Sequence, residues 1–380
     1  MSERQATRRG GADDPREARG GRGGRAGHGG GGAGGSGASG PVGGRASARA
    51  AGAAESASRR SRASGPGGVD GHPDASAAPL TRRGGRGAGG AGGGDTFAPR
   101  RASLRQRSFI GTLKALDALS TSGAQVSVRV SDLDGGDEVL SGDDHLTLPV
   151  VGLGVVPLLI EVAAQIEFGQ LDPLEIIERR SVDEVALAGV WQHLAAPALP
   201  VRDLAVLAAA ASDAAAANAL LARVGIGAVR SRMEDIGLEK TALLDGFRDV
   251  RGPDDAPQVA LSSARELAGL FAAIVNARVV SPAVSAQVGE WLNLNQDLAL
   301  VGAATALDPF AHEDDRYGML FVNKTGRADG IRADAGVLAG PRGGVSYALV
   351  VCFDDLSIAH RLRAHEAFRA LGADLMEYVF

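Results

Sequence analysis

The stretch that most constrains the fold runs from about Gly152 to Phe168. Val155, Val156, Leu158, Leu159, Ile160, Val162 and Ala163 put apolar side chains on nearly every face of the helix predicted there. A helix of that kind has to be buried on all sides. The apolar run around it, Leu146 to Ile160, falls short of the roughly 20 residues that a membrane span needs, and glycines and prolines interrupt it.

Composition divides the chain well before that helix. Residues 1–102 are Gly, Ala, Arg and Ser with almost no large apolar side chains, so burial cannot offset the entropy of ordering them. They are expected to be a disordered tail, with one folded domain over 103–380. Residues 1–107 contain no lysine, and 19 arginines stand against eight acidic residues, an excess of +11. The net charge of the whole chain is −5, so the remainder carries −16. Such a tail could attract polyanions such as nucleic acid or anionic lipid. Equally, it reads as a low-complexity extension, or as the product of a start codon set too far upstream. Residues 1–30 have no apolar core of a signal peptide, and Cys352 is the only cysteine, which excludes an intramolecular disulfide. A cytoplasmic protein is the expectation, with no metal site and no cofactor.

Apolar spacing over 103–121 predicts a helix whose face is Phe109, Ile110, Leu113 and Leu116. Gln125 to Ser131 alternates with period two, as a half-buried strand does. Asp134-Gly135-Gly136 is turn chemistry, and Glu138 opens the returning strand of a hairpin. Pro200 fits the first position of a helix over the following residues. Ser212-Asp213 before an alanine run reads by itself as a helix start. Leu261 to Phe271 is an N-capped amphipathic helix, and Ser281 starts another. Tyr317 to Gly326 is a strand ending in Lys324-Thr325-Gly326. Gly330, Asp334, Gly336 and Val337 follow on the next strand, Val345 to Phe353 completes the sheet, and Ala359 to Tyr378 forms a terminal helix.

Three of these segments, in this order, resemble the site motifs of the class A β-lactamases and penicillin-binding DD-peptidases. The first is an apolar residue, Pro and two small residues before Ser-x-x-Lys, then an apolar residue and often Pro. Leu148, Pro149, Val150, Val151, Val156 and Pro157 keep that frame, while Gly152 stands at the nucleophile position and Val155 at the lysine position. The second is Ser-Asp-Asn. Ser212 and Asp213 match it, Ala214 replaces the Asn, and the 60-position spacing from Gly152 and the downstream Asn218 support the match. The third, Lys324-Thr325-Gly326, is complete in a chain whose only other lysines are Lys114 and Lys240. Leu187 to Trp191 and Leu199 to Leu207 are similar to the family's helical subdomain, placed at about 150–275. The resemblance implies an α/β (α+β) fold, an antiparallel five-stranded sheet flanked by helices.

The resemblance also implies roles. A helix N-terminus would carry the nucleophile, since its unsatisfied N–H groups and dipole favour an anion. Ser212 would relay a proton, and Lys324, Thr325 and Gly326 would receive a substrate carboxylate. Acylation needs an oxygen nucleophile and a base, and Gly152 and Val155 supply neither. No Ser-x-x-Lys occurs anywhere, and none of Tyr317, Tyr347 and Tyr378 begins the Tyr-x-Asn variant. Nor does the loop over 245–254 carry the family's deacylating Glu; Asp249 lies in roughly its place and reads as a solvated carboxylate. Loss of such a nucleophile costs on the order of 10⁶ in turnover. The expectation is an inactive β-lactamase-like protein whose remaining groove (Ser212, Lys324, Thr325, Gly326) binds a carboxylate-bearing β-lactam- or peptidoglycan-like molecule, or a partner protein. Two alternatives stand beside it: an amide hydrolase using Ser212 with Lys324 as base, and a scaffold acting through its arginine tail.

Overall fold

The structure is a computed structural model that describes residues 109–179, 185, 189–310, 312, 318–355 and 357–380. The tail expected over 1–102, and with it the polyanion reading, lies outside the described residues, as do residues 103–108, Leu187, Ala188 and Tyr317.

The elements follow in order: α1 (Ile110–Thr121), β1 (Gln125–Asp132), β2 (Glu138–Gly142), β3 (Leu148–Pro149), a 3₁₀ turn (Val151–Gly154) and α2 (Val155–Glu167). Next come β4 (Ile176–Glu178), a 3₁₀ turn (Trp191–His193), β5 (Ala198–Pro200), α3 (Val201–Ala210), α4 (Ala214–Val224) and α5 (Ile226–Asp235). The chain closes with β6 (Ala242–Leu243), β7 (Ala260–Ser262), α6 (Ala264–Val275), α7 (Pro282–Leu292), a 3₁₀ turn (Val301–Ala304), β8 (Leu320–Ala328), β9 (Ile331–Gly340), β10 (Gly343–Cys352) and α8 (Ile358–Val379). Strands β2-β1-β10-β9-β8 form one antiparallel five-stranded sheet.

Side chains alternate across that sheet and separate two cores. Val128, Val130, Phe321, Leu338, Tyr347 and Leu349 face α1 and α8, where Phe109, Leu119, Phe368 and Leu371 close the layer. Val322, Ala335, Val337, Ala348 and Val350 face the other way, onto α6 and the helices beyond it. The predicted all-round helix is the centre of that second core. Val155 to Gln165 are all buried, and α3, α4, α5 and α7 surround α2.

Four local expectations change. Ile110 and Leu113 are exposed; the buried face of α1 is Phe109, Thr112, Leu116 and Leu119. Thr112 donates from its backbone and its hydroxyl to Asp374 of α8, at 2.8 and 2.7 Å, which fixes that rotation. β1 is covered on both faces rather than half-buried, because Ser127 is fully buried on one face while Val128 and Val130 lie in the core closed by α1 and α8. Pro200 is extended (φ −68°, ψ 152°) and pairs with Ile176, so it precedes α3 instead of opening it. Lys324-Thr325-Gly326 lies inside β8, which runs on to Ala328 because each of the three is paired with β9.

Candidate active site

Two segments meet β8. The turn into α2 is forced by Val151, a β-branched residue held at φ +49°, a backbone region costing such a residue about 1–3 kcal/mol. It brings Gly152 directly against β8. A Cβ on Gly152 would lie 2.7 Å from the Thr325 carbonyl oxygen, and one on Gly326 only 2.1 Å from the Val150 carbonyl oxygen. The two backbones therefore touch where side chains would otherwise separate them, and glycine is required on both sides. Val155, one turn further on, is buried among apolar neighbours.

The second segment is the turn between α3 and α4. Asp213 caps α4, accepting from the Ala216 N–H at 2.9 Å, and its other oxygen accepts from Val190 and Trp191 at 2.6 and 2.7 Å. One fully buried carboxylate thus ties the turn to the Trp191 segment. Ser212, just before it, is held at φ +51°. Its Oγ accepts from the Lys324 Nζ at 2.6 Å, and the same ammonium donates to the Ala209 carbonyl at 2.7 Å. Lys324 is fully buried, and desolvation brings its pKa down to about 7, against the opposing pull of Asp297. Near neutral pH it is both a donor and a group able to accept a proton.

The hydroxyl of Thr325 is already engaged. It donates to Asp297 Oδ2 at 2.6 Å, while Arg327 Nη2 donates to Asp297 Oδ1 at the same distance. A carboxylate of the chain itself therefore occupies the donors that this wall offers. Behind β8 runs a buried polar relay. Asn295 donates to Asn323 at 2.9 Å, and Asn323 and Tyr347 both donate to Asp334 at 3.1 Å, with the Val301 N–H on its other oxygen at 3.0 Å. Burial pushes the Asp334 carboxyl up to about 8.

The structure thus brings together Gly152, Ser212, Lys324, Thr325 and Gly326. Asp249 is exposed on its loop; instead, Asn218 of α4 exchanges two hydrogen bonds of 2.8 Å with the backbone of Phe247. Sequence reasoning missed Asp297 and Arg327. Arg327 follows the Lys-Thr-Gly directly and could have been flagged, whereas Asp297 lies in a loop with no motif around it. No group of three or more His, Cys, Asp or Glu among the described residues could hold a metal ion, and no described helix is long and apolar enough to cross a membrane.

Residues 111–379 match the beta-lactamase enzyme family. No curated protein sequence matches the chain. Among solved structures, a beta-lactamase from Sphaerobacter thermophilus is similar at 21% identity and a TM-score of 0.61, over 71% of this chain and 96% of that one. PBP-A is similar at 19% and 0.58, over 70% and 95%. An ancestral class A beta-lactamase, GNCA, is similar at 20% and 0.58, over 70% and 99%. These likenesses are of fold.

Proposed function

The chain belongs to the beta-lactamase enzyme family, and we propose that within it this protein is a member without the family's acyl-transfer chemistry. The observation that carries this reading is the contact at Gly152: no nucleophile is present, and a Cβ there would meet the Thr325 carbonyl at 2.7 Å. Val155 offers no base in its place. A residual groove built from Ser212, Lys324, Thr325 and Gly326 is left to bind rather than to react. Its preferred ligand carries a carboxylate, as a β-lactam- or peptidoglycan-like molecule or an acidic segment of a partner protein does. Such a ligand would take the place of Asp297 on Thr325 and Arg327, so affinity depends on displacing an internal competitor.

A second reading keeps catalysis, and one observation favours it. Ser212 Oγ lies 2.6 Å from a lysine whose pKa is about 7. A neutral Lys324 could take the Ser212 proton while the oxygen attacks an amide carbonyl, in the manner of serine–lysine hydrolases. Intact mass after incubation with benzylpenicillin separates the two. We expect no adduct on the native chain, and none on a Gly152→Ser, Val155→Lys double variant, because the added side chain has no room. An adduct on the native chain that maps to Ser212 replaces the first reading with the second. An adduct on the double variant alone keeps the loss of chemistry and discards the closed contact.

A further inference from the structure

A second cleft, of about 330 Å³, opens between the β1–β2 turn and α6, at the end of the sheet where β1 finishes and β10 begins. That volume lies at the lower end of the roughly 300–1,000 Å³ typical of small-molecule sites. None of Gly152, Ser212, Lys324 and Thr325 lines it.

Small residues make the space. Gly269 of α6 would place a Cβ with nothing within 4 Å, and Ala272 and Ala273 stand beside it. The walls are fixed: Asn276 of α6 donates to the Leu133 carbonyl at 2.9 Å, and the Leu133 N–H donates to Gly344 at 2.9 Å. Ser346 of β10 lines the floor. It is completely buried, and its hydroxyl has no hydrogen-bond partner among the described residues. A buried hydroxyl without a partner is costly.

The charges around the cleft fall into three sets, the first being Asp132, whose carboxylate accepts from the Asp134 and Gly135 N–H groups at 3.1 and 2.8 Å. Arg129 and Arg265 are matched, both bonded to Asp144. Arg278 and Asp134 are exposed and line the same cleft, yet neither forms an ion pair with the other or with any described residue. A cation and a carboxylate on one cleft, with no ion pair between them, fit a ligand that carries both signs.

We propose that this cleft is a binding site for a small zwitterion of amino-acid to dipeptide size, its carboxylate toward Arg278 and its ammonium toward Asp134. This site is independent of the reading given for the groove. The test is amide chemical-shift perturbation of the full-length protein, titrated with diglycine, with acetate and methylammonium as half-probes. Saturable shifts at Gly135, Gly269 and Asn276 are expected. Binding should weaken at least tenfold in Arg278→Gln and in Asp134→Asn, both surface changes that leave folding intact, and neither half-probe should reproduce it. Absence of saturable shifts, unchanged affinity in both variants, or equal binding of acetate alone would overturn the proposal.

Discussion

The two walls of the candidate site differ in what holds them in place. The β8 wall keeps Lys324, Thr325 and Gly326 with every polar group satisfied: the ammonium by Ala209 and Ser212, the hydroxyl by Asp297. The α2 wall keeps only its course. Val151 adopts a left-handed conformation that its side chain disfavours. The difference teaches what each wall is for structurally. Lys324 is bonded into the fold, so its loss would orphan a buried carbonyl and open a cavity. Gly152 has no side chain, and there the two backbones close on each other. Strain survives there because α2 is enclosed on all sides and cannot re-enter the core by another path.

The largest effect should come from the contact between the walls. Gly326→Ala puts a Cβ 2.1 Å from the Val150 carbonyl oxygen, and we expect a loss of about 3 kcal/mol or more in chemical denaturation. A loss under 1 kcal/mol would mean that the walls can part and that the comparison is overdrawn. Asp213→Ala comes next. It deprives three backbone N–H groups of their acceptor, an expected cost of about 2–4 kcal/mol by the same measurement.

The third prediction separates the walls by pH. Folded Lys324 loses its proton near 7, while in the unfolded chain it keeps it to about 10.5, so between these values the unfolded state binds more protons and stability rises with pH. Asp334 has the opposite sign. Its folded pKa of about 8 lies above the ordinary 3.8, so stability falls as pH climbs from about 4 to 8. From these two groups, denaturation midpoints should pass through a minimum near pH 7–8. Lys324→Met should flatten the alkaline limb alone, and Asp334→Asn the acid limb alone. A Lys324→Met protein with an unchanged alkaline limb would show that the lysine is ionised normally and that the β8 wall is wetter than its burial implies.

The smallest effect is expected at Asp297. Its pair with Arg327 is about one-third exposed, so Asp297→Asn should cost under about 1 kcal/mol of stability. The same change should strengthen binding of benzylpenicillin or another carboxylate to the groove several-fold in equilibrium titration. Unchanged affinity would remove Asp297 from the account of that wall.

Much of this was legible in the sequence because it depends on local periodicity or residue identity. The all-apolar run around Leu158 had to be a buried central helix, and Gly152 and Val155 cannot supply an oxygen nucleophile or a base in any fold. Ser212, Lys324 and Thr325 could be picked out through their resemblance to the family's motifs, although residue identity does not give the 2.6 Å approach of Ser212 to Lys324 or the desolvation that brings the lysine to about 7. The rotation of α1 was misread for a related reason. Ile110 and Leu113 fit the apolar period, but Thr112 found Asp374 on α8, more than 250 positions away. Asp297 and Arg278 carry no motif, and Asp134 belongs only to a turn signal that says nothing about a ligand. Whether a charge is paired, buried or left facing a cleft depends on what long-range packing sets beside it, and only the tertiary structure decides that.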